Sequence, residues 1–224
     1  MSTWLTPRGA AAAALVGTAV VVGAGWQGLV LLLVYFVSSS ALTRGGGRRT
    51  AVQVWANGGV AAAAALLSLA APVAGLAFAG ALSAATADTW STEIGGRSGR
   101  APRLITSGRV VPGGTSGGIT WLGSLGGLAG AALLGASAAA LGLASARGAV
   151  LVTAAGLVGG LADSALGATL QARYRCPACG AAGETAICPC GARAELSAGI
   201  RWLSNDVVNL ACTAVGAAVS AAGA

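Results

Sequence analysis

Four of the six acidic residues in this 224-residue chain lie within or beside long apolar stretches, where a charge is costly. Asp88 and Glu93 end one stretch. Asp163 is embedded in another between small residues, and Asp206 opens a third. A carboxylate at membrane depth needs a partner or a wet, protein-lined interior, so such residues indicate a functional site. Asp163 is embedded deepest and is the hardest to explain by structure alone.

Helical spacing places neutral oxygen ligands near these carboxylates. Asn205, Asp206 and Asn209 share one helix face, and glycines flank Asp163 at helical spacing on another. A carboxylate in a glycine-lined groove opposite an Asn-Asp-Asn face favours a divalent cation with oxygen ligands. Two alternatives stay open, since Asn205 or Asp206 suits a helix N-cap and Asp88 suits an interfacial pair with a loop arginine.

A glycine-rich loop, residues 113–118, precedes the fifth apolar stretch. Glycines let backbone N–H groups approach an anion, and a following helix N-terminus adds partial positive charge. Arg103 and Arg109, just upstream, could fork onto phosphate oxygens. The pattern favours a phosphate site, although it is not a P-loop because the chain has no lysine. The candidate binding residues are Gly113, Gly114, Thr115, Ser116 and Gly117. The alternative is a turn leading into a glycine packing face at Gly123, Gly127 and Gly130.

A polar segment, residues 171–201 (the cysteine loop), contains two close pairs of cysteines. This spacing predicts a tetrahedral zinc site, and the reducing cytosol argues against disulfides. Four thiolates leave no position for substrate, so the expected role is structural. The ligands would be Cys176, Cys179, Cys188 and Cys190. Cys212 has the setting of a buried apolar residue, and Glu184 and Glu195 are expected to be ordinary solvated loop residues.

The composition predicts that a lipid bilayer surrounds these groups. Only 8% of the residues are charged and 55% are apolar, whereas a soluble domain carries about a quarter charged residues. The net charge of +7 could suggest nucleic acid, but the distribution of the arginines points to membrane orientation, and no nucleic acid partner is expected.

Seven mostly apolar stretches have about the length of a membrane-spanning helix, about 20 residues. They occupy 9–25, 26–43, 51–71, 73–92, 117–144, 148–170 and 203–223. The expected fold is an all-α polytopic membrane bundle of about seven transmembrane helices. It forms one domain, residues 1–224, with the zinc-binding cysteine loop inserted between the last two helices. A cleaved signal peptide is the alternative for the first stretch, but the second follows so closely that a hairpin with its tip at 23–25 fits better.

The arginines predict the orientation. With the N-terminus on one side, twelve of the thirteen positive residues fall on that side and only Arg147 falls on the other. Positive charge stays in the cytoplasm, so a multi-pass cell membrane protein with its N-terminus inside and its C-terminus outside is predicted.

Several motifs resemble the integral membrane family that contains plant phytyl-phosphate kinase and the animal transmembrane protein nineteen. They occur in the family's order at 36–40, 53–59, 87–95, 102–106, 113–118, 163–171 and 205–209. The resemblance implies an isoprenoid monophosphate kinase that forms the diphosphate from a nucleoside triphosphate, with CTP favoured as donor. It implies Mg²⁺ at Asp88, Glu93, Asp163 and Asp206, and substrate contacts from Arg103, Arg109, the glycine-rich loop, Asn57, Asn205 and Asn209.

Two other classes of membrane protein compete with this interpretation. A transporter would also place acids within spans, but usually shows duplicated halves, which are not evident here. Another polytopic lipid-phosphate transferase stays open, although the D-x-x-D-G-x-x-A-R string of CDP-alcohol phosphotransferases is missing. Membrane lipid and the two phosphate substrates are the expected partners, with homo-oligomerisation left open.

The orientation can be tested with reporter fusions. A reporter fused after Ala224 should read as external, and one inserted near residue 46 as cytoplasmic, because the arginine asymmetry holds the intervening loops inside. An insertion beside Arg147 serves as an external control. Finding both chain ends on one side would refute the seven-span prediction.

Overall fold

The computed structural model describes residues 4–43 and 47–224. Arg44, one of the arginines used for orientation, lies outside the described residues. Within these ranges the chain forms six helices: α1 Pro7–Leu42, α2 Ala51–Leu67, α3 Ala74–Gly95, α4 Trp121–Ala140, α5 Ala146–Thr169 and α6 Asn205–Ala222. The predicted helical class is thus confirmed, and the polar segments lie between the helices.

Helix α1 folds back on itself at Gly25. That glycine has φ 66° and ψ −165°, outside the helical region. The rings of Trp4 and Phe36, near opposite ends of the segment, lie 5.8 Å apart. A straight helix would separate them by roughly 48 Å, at about 1.5 Å per residue. The reversal occurs where the sequence predicts a hairpin tip, and only glycine adopts this backbone conformation readily.

Helix α3 is the centre of the bundle, packed by every other helix. Its buried residues include Phe78 and Leu82, both with no exposed surface. Small residues let its neighbours approach closely. A Cβ added to Gly216 of α6 would come within 2.6 Å of the Gly80 carbonyl oxygen, and one on Gly126 of α4 within 3.0 Å of the Trp90 carbonyl oxygen. Helix α3 is therefore in close contact with α6 in its first half and with α4 near its end.

Three helices, α1, α4 and α5, are long and apolar enough to cross a membrane, and α2 is a shorter apolar helix. Helix α3 carries Asp88 and Glu93 and helix α6 carries Asp206, and neither is among these apolar helices, whereas Asp163 lies on the apolar helix α5. The count of seven crossings therefore stays a prediction.

The fifth apolar stretch does not begin where the sequence predicts. Helix α4 starts at Trp121 instead of residue 117, because the Thr120 side chain caps it by accepting a hydrogen bond from the Gly123 N–H at 3.0 Å. A short strand, β2 (Gly118–Ile119), pairs with β1 (Arg103–Leu104) before the helix starts. The glycine-rich loop thus leads into a strand and does not enter the helix directly.

The cysteine loop folds as a three-stranded antiparallel sheet in the order β4-β3-β5. The strands are β3 Arg173–Arg175, β4 Ala182–Gly183 and β5 Glu195–Ala198. Backbone hydrogen bonds tie the sheet to the bundle, from Ile200 N to Leu170 O at 2.9 Å and from Ala172 N to Leu203 O at 2.9 Å. The sheet is therefore anchored between the end of α5 and the start of α6.

Three exposed tryptophans lie at the end of the bundle that carries these loops. Trp4 precedes α1, Trp121 opens α4 and Trp202 precedes α6, with exposed fractions of 43%, 81% and 68%. Tryptophan is enriched at membrane–water interfaces. This end of the bundle thus has the composition of an interfacial surface.

Candidate functional site

A cavity of about 880 Å³ opens where the ends of α3, α4, α5 and α6 meet the two polar loops. The structure brings most of the predicted site residues to its lining. Those that line it are Asp88, Glu93, Asp163, Gly113, Gly114, Thr115, Ser116, Gly117, Asn205 and Asn209. Residues more than a hundred positions apart in sequence thus surround a single space.

Asp88 on α3 and Asp163 on α5 both line this cavity and lie near enough for their carboxyl groups to interact, and we call them the carboxylate pair. The two helices approach closely one turn before the pair, since a Cβ on Gly159 of α5 would come within 2.5 Å of the Ala84 Cβ of α3. The Asp163 Oδ2 atom is buried and has no hydrogen-bond partner in the described part of the chain. Adjacent carboxylates repel unless a proton or a cation lies between them. The pair therefore has the donor chemistry of a divalent cation site.

The glycine-rich loop lies directly against the end of α5. Gly117 has φ +76°, and a Cβ there would come within 2.5 Å of both the Ala168 Cβ and the Ser164 carbonyl oxygen. Across the same contact, a Cβ on Gly167 would lie 3.1 Å from the Gly117 nitrogen. Because only glycine fits this approach, the loop is held about one helical turn from Asp163.

Glu184 enters the cavity from the cysteine loop. The Ser116 hydroxyl donates a hydrogen bond to Glu184 Oε1, across 68 residues of sequence, and Glu184 lines the cavity. The prediction that Glu184 is an ordinary solvated residue is therefore wrong. Its position between the two cysteine pairs is the signal that could have identified it. Gln171, buried at the start of the same loop, also lines the cavity.

Four predicted residues lie outside the lining of this cavity, and one of them, Asn57, lines a second cavity described below. Arg103 turns away and donates from Nη1 to the Gly108 carbonyl oxygen at 2.9 Å, and Arg109 is exposed. Asp206 lies in the first turn of α6, beside the two asparagines that line the space. Arg100, which the sequence analysis did not select, lines the cavity and supplies positive charge there.

A second cavity of about 410 Å³ adjoins the first, and Thr89 and Asn209 line both. Arg48, Arg49 and the predicted Asn57 line the second cavity. Among these, Arg49 is held in place, because its guanidinium donates to the Tyr35 hydroxyl at 3.1 Å and lies 5.7 Å from the centroid of the Phe36 ring. An arginine-lined cavity therefore lies beside the carboxylate-lined one.

The four loop cysteines form a compact cluster with all Sγ atoms within 4.8 Å of one another. Cys176 and Cys190 are 3.6 Å apart and Cys179 and Cys188 are 3.5 Å apart, measured between sulfurs. A disulfide needs about 2.05 Å, whereas the edge of a zinc–thiolate tetrahedron is about 3.8 Å. The backbone N–H of Cys179 lowers the pKa of the Cys176 thiol to about 7. The cluster thus suits a tetrahedral metal ion, and Cys212 is buried apart from it, as predicted.

The family model described as Integral membrane protein DUF92 matches residues 1–217. The chain therefore belongs to this family of integral membrane proteins, and its localisation in a membrane is confirmed. Protein PGR of Arabidopsis thaliana is similar to part of it, with 37% identity over 95 residues. That match covers 38% of this chain and 33% of the plant protein, so the chain spans about a third of the length of that relative. No solved structure matches.

The cysteine cluster predicts a metal content that can be measured. Purified protein should carry about one zinc ion per chain, and Cys176→Ser should lose it because three thiolates hold zinc less well than four. Elemental analysis by mass spectrometry gives the ratio. Cys212→Ser is the matched control and should retain the metal. Zinc-free protein whose loop thiols are disulfide-bonded in cells would contradict the prediction.

Proposed function

We propose that the chain is a membrane phosphotransferase that converts an isoprenoid monophosphate into its diphosphate, with a nucleoside triphosphate, CTP by expectation, as donor. One observation carries this proposal. A carboxylate pair faces a glycine-rich loop in one cavity, and an arginine-lined cavity adjoins it at Thr89 and Asn209. Phosphoryl transfer from one phosphate compound to another requires two adjoining anion sites, and one of them needs ligands for a cation.

The larger cavity suits the nucleotide. The glycine-rich loop offers backbone N–H groups and Arg100 offers a guanidinium to phosphate oxygens. The carboxylate pair would repel these oxygens, so a cation must separate them. The unpartnered Asp163 Oδ2 fits an Mg²⁺ ligand, and Asp88, Asp163, Asn205 and Asn209 would hold the ion. Bound there, Mg²⁺ would neutralise phosphate charge. Glu93 and Asp206 remain candidates for further support of this site.

The smaller cavity suits the phosphate of the acceptor. Arg49 is oriented by Tyr35 and Phe36 before any ligand arrives, which lowers the entropic cost of binding. Arg48 is exposed and lines the same space. The two cavities meet at Thr89 and Asn209, so an acceptor phosphate there faces a donor in the larger one.

The reaction needs little covalent help from the protein. An oxygen of the acceptor phosphate forms the new bond to the terminal phosphorus of the donor, and the bond to the bridging oxygen breaks, releasing the nucleoside diphosphate. The acceptor oxygen is already ionised, so no strong general base is required. The isoprenoid tail would lie between the apolar helices in lipid, with its head group at the cytoplasmic face of a seven-span bundle.

The carboxylate pair should be essential for turnover. Asp88→Asn and Asp163→Asn should each lower kcat at least about a hundredfold, because each removes charge that holds the cation. Purified protein would be assayed with geranyl, farnesyl, geranylgeranyl and phytyl phosphates and each of CTP, ATP, GTP and UTP. Glu195→Gln, outside the cavity, should keep full activity. No diphosphate product in any combination would overturn the proposed function.

The two arginine positions should separate the two substrates. Arg48→Ala should raise the KM for the isoprenoid phosphate, and Arg100→Ala the KM for the nucleotide, each about tenfold, as expected for a lost charge-assisted contact. Initial rates measured while varying one substrate at a time give both constants. Arg147→Ala, on the opposite side of the membrane in the predicted topology, should change neither KM. Both variants raising the same KM would contradict the assignment of donor and acceptor cavities.

A further inference from the structure

We propose that a Zn²⁺ ion held by Cys176, Cys179, Cys188 and Cys190 positions Glu184 against Ser116, and thereby holds the cysteine loop closed over the larger cavity. The metal site would then position a residue of the cavity, beyond the purely structural role that its spacing suggests. The proposal concerns the position of the loop and does not require the kinase activity.

The cysteine loop has too small an apolar core to hold its own shape. Tyr174 and the two cysteines Cys176 and Cys188 are among its few buried side chains, and most positions from 177 to 187 are exposed. Units below about 40 residues usually need a metal or disulfides for stability. The thiol spacings fit a metal and exceed the length of a disulfide bond. A metal ion bound by the four cysteines can therefore hold residues 177 to 187 in place.

Glu184 lies in the segment that such a metal would fix. It follows strand β4 (Ala182–Gly183), five residues after Cys179 and four before Cys188. Strand β4 pairs only with β3, through Tyr174–Gly183 and Arg175–Ala182, so it is an edge with few bonds of its own. With predicted metal ligands on both sides of it in sequence, the backbone of Glu184 cannot move far from Ser116 unless a cysteine pair moves or the strand distorts.

The Ser116–Glu184 hydrogen bond joins the glycine-rich loop to the cysteine loop. Ser116 lies in the glycine-rich loop, which is fixed on its other side by the close approach of Gly117 to Ala168. Glu184 lies near enough to Asp163 for the two charges to interact, so its presence costs energy at an acidic site. The position of Glu184 near another acid must therefore be stabilised by other contacts of its loop. The cluster of four cysteines lies on that same loop.

Hydrogen–deuterium exchange of residues 112–118 tests this in the full-length protein, without nucleotide or acceptor. With zinc bound, Glu184→Ala should speed exchange in this peptide about tenfold, because the hydrogen bond to a charged acceptor is lost. Removing zinc from the wild-type protein with a chelator should speed it to a similar extent. Removing zinc from Glu184→Ala should add little, since both changes break the same contact.

The controls keep the result interpretable. Glu195→Ala, on strand β5 of the same loop, should behave like the wild-type protein, and Glu184→Gln, which keeps an acceptor oxygen, should restore part of the protection. Unchanged exchange in α5 shows that the bundle stays intact. The proposal is overturned by protein that binds no zinc, by normal protection in Glu184→Ala, or by an equal effect of zinc removal in both proteins. Failure of the kinase assay would leave this exchange result unaffected.

Discussion

The contact between Asp88 and Asp163 is the constraint on which the site depends. Two carboxyl groups inside a helical bundle can meet only if their helices approach closely, and Gly159, one turn before Asp163, allows that approach between α5 and α3. Burying two carboxyl groups side by side is unfavourable for folding, so the bundle must hold α3 in place through its other contacts. Its central position, packed by all the other helices, supplies that restraint. The packing of the apolar bundle thus stabilises the end of the protein at which Asp88 and Asp163 lie together.

The rest of the site balances charge around this pair. Arg100 lies in the same cavity and two further arginines line the adjoining one, so positive groups lie on more than one side of the acids. Thr89 and Asn209, both neutral, form the boundary between the cavities. Acids and arginines thus line the same pair of adjoining cavities. Such a site favours a cation, bound by the acids, together with phosphates, bound by the arginines.

The sequence predicted features that depend on local pattern and missed those that depend on contacts between loops. Apolar length located the helices, glycine content located the glycine-rich loop but not its packing against α5, and cysteine spacing located the cluster. The role of Glu184 could not be found in this way, because its partner Ser116 is 68 residues distant. Arg103 was selected for its position near the glycines, but pairing of β1 with β2 and a bond to Gly108 direct it elsewhere. The start of α4 was missed because Thr120 caps the helix beyond the glycines.

The tryptophans at the loop-bearing end have a consequence for how any lipid-borne ligand would reach the cavities. Trp4, Trp121 and Trp202 are exposed around this end, and such side chains fix the depth of a membrane protein at the head-group level. Asp163 lies six residues before the end of α5, which is about 9 Å along the helix axis. A ligand with an apolar tail would therefore arrive by lateral diffusion within one leaflet. Occupancy of the site would depend on the surface density of that ligand in the bilayer. Diluting the membranes with buffer would leave this occupancy unchanged.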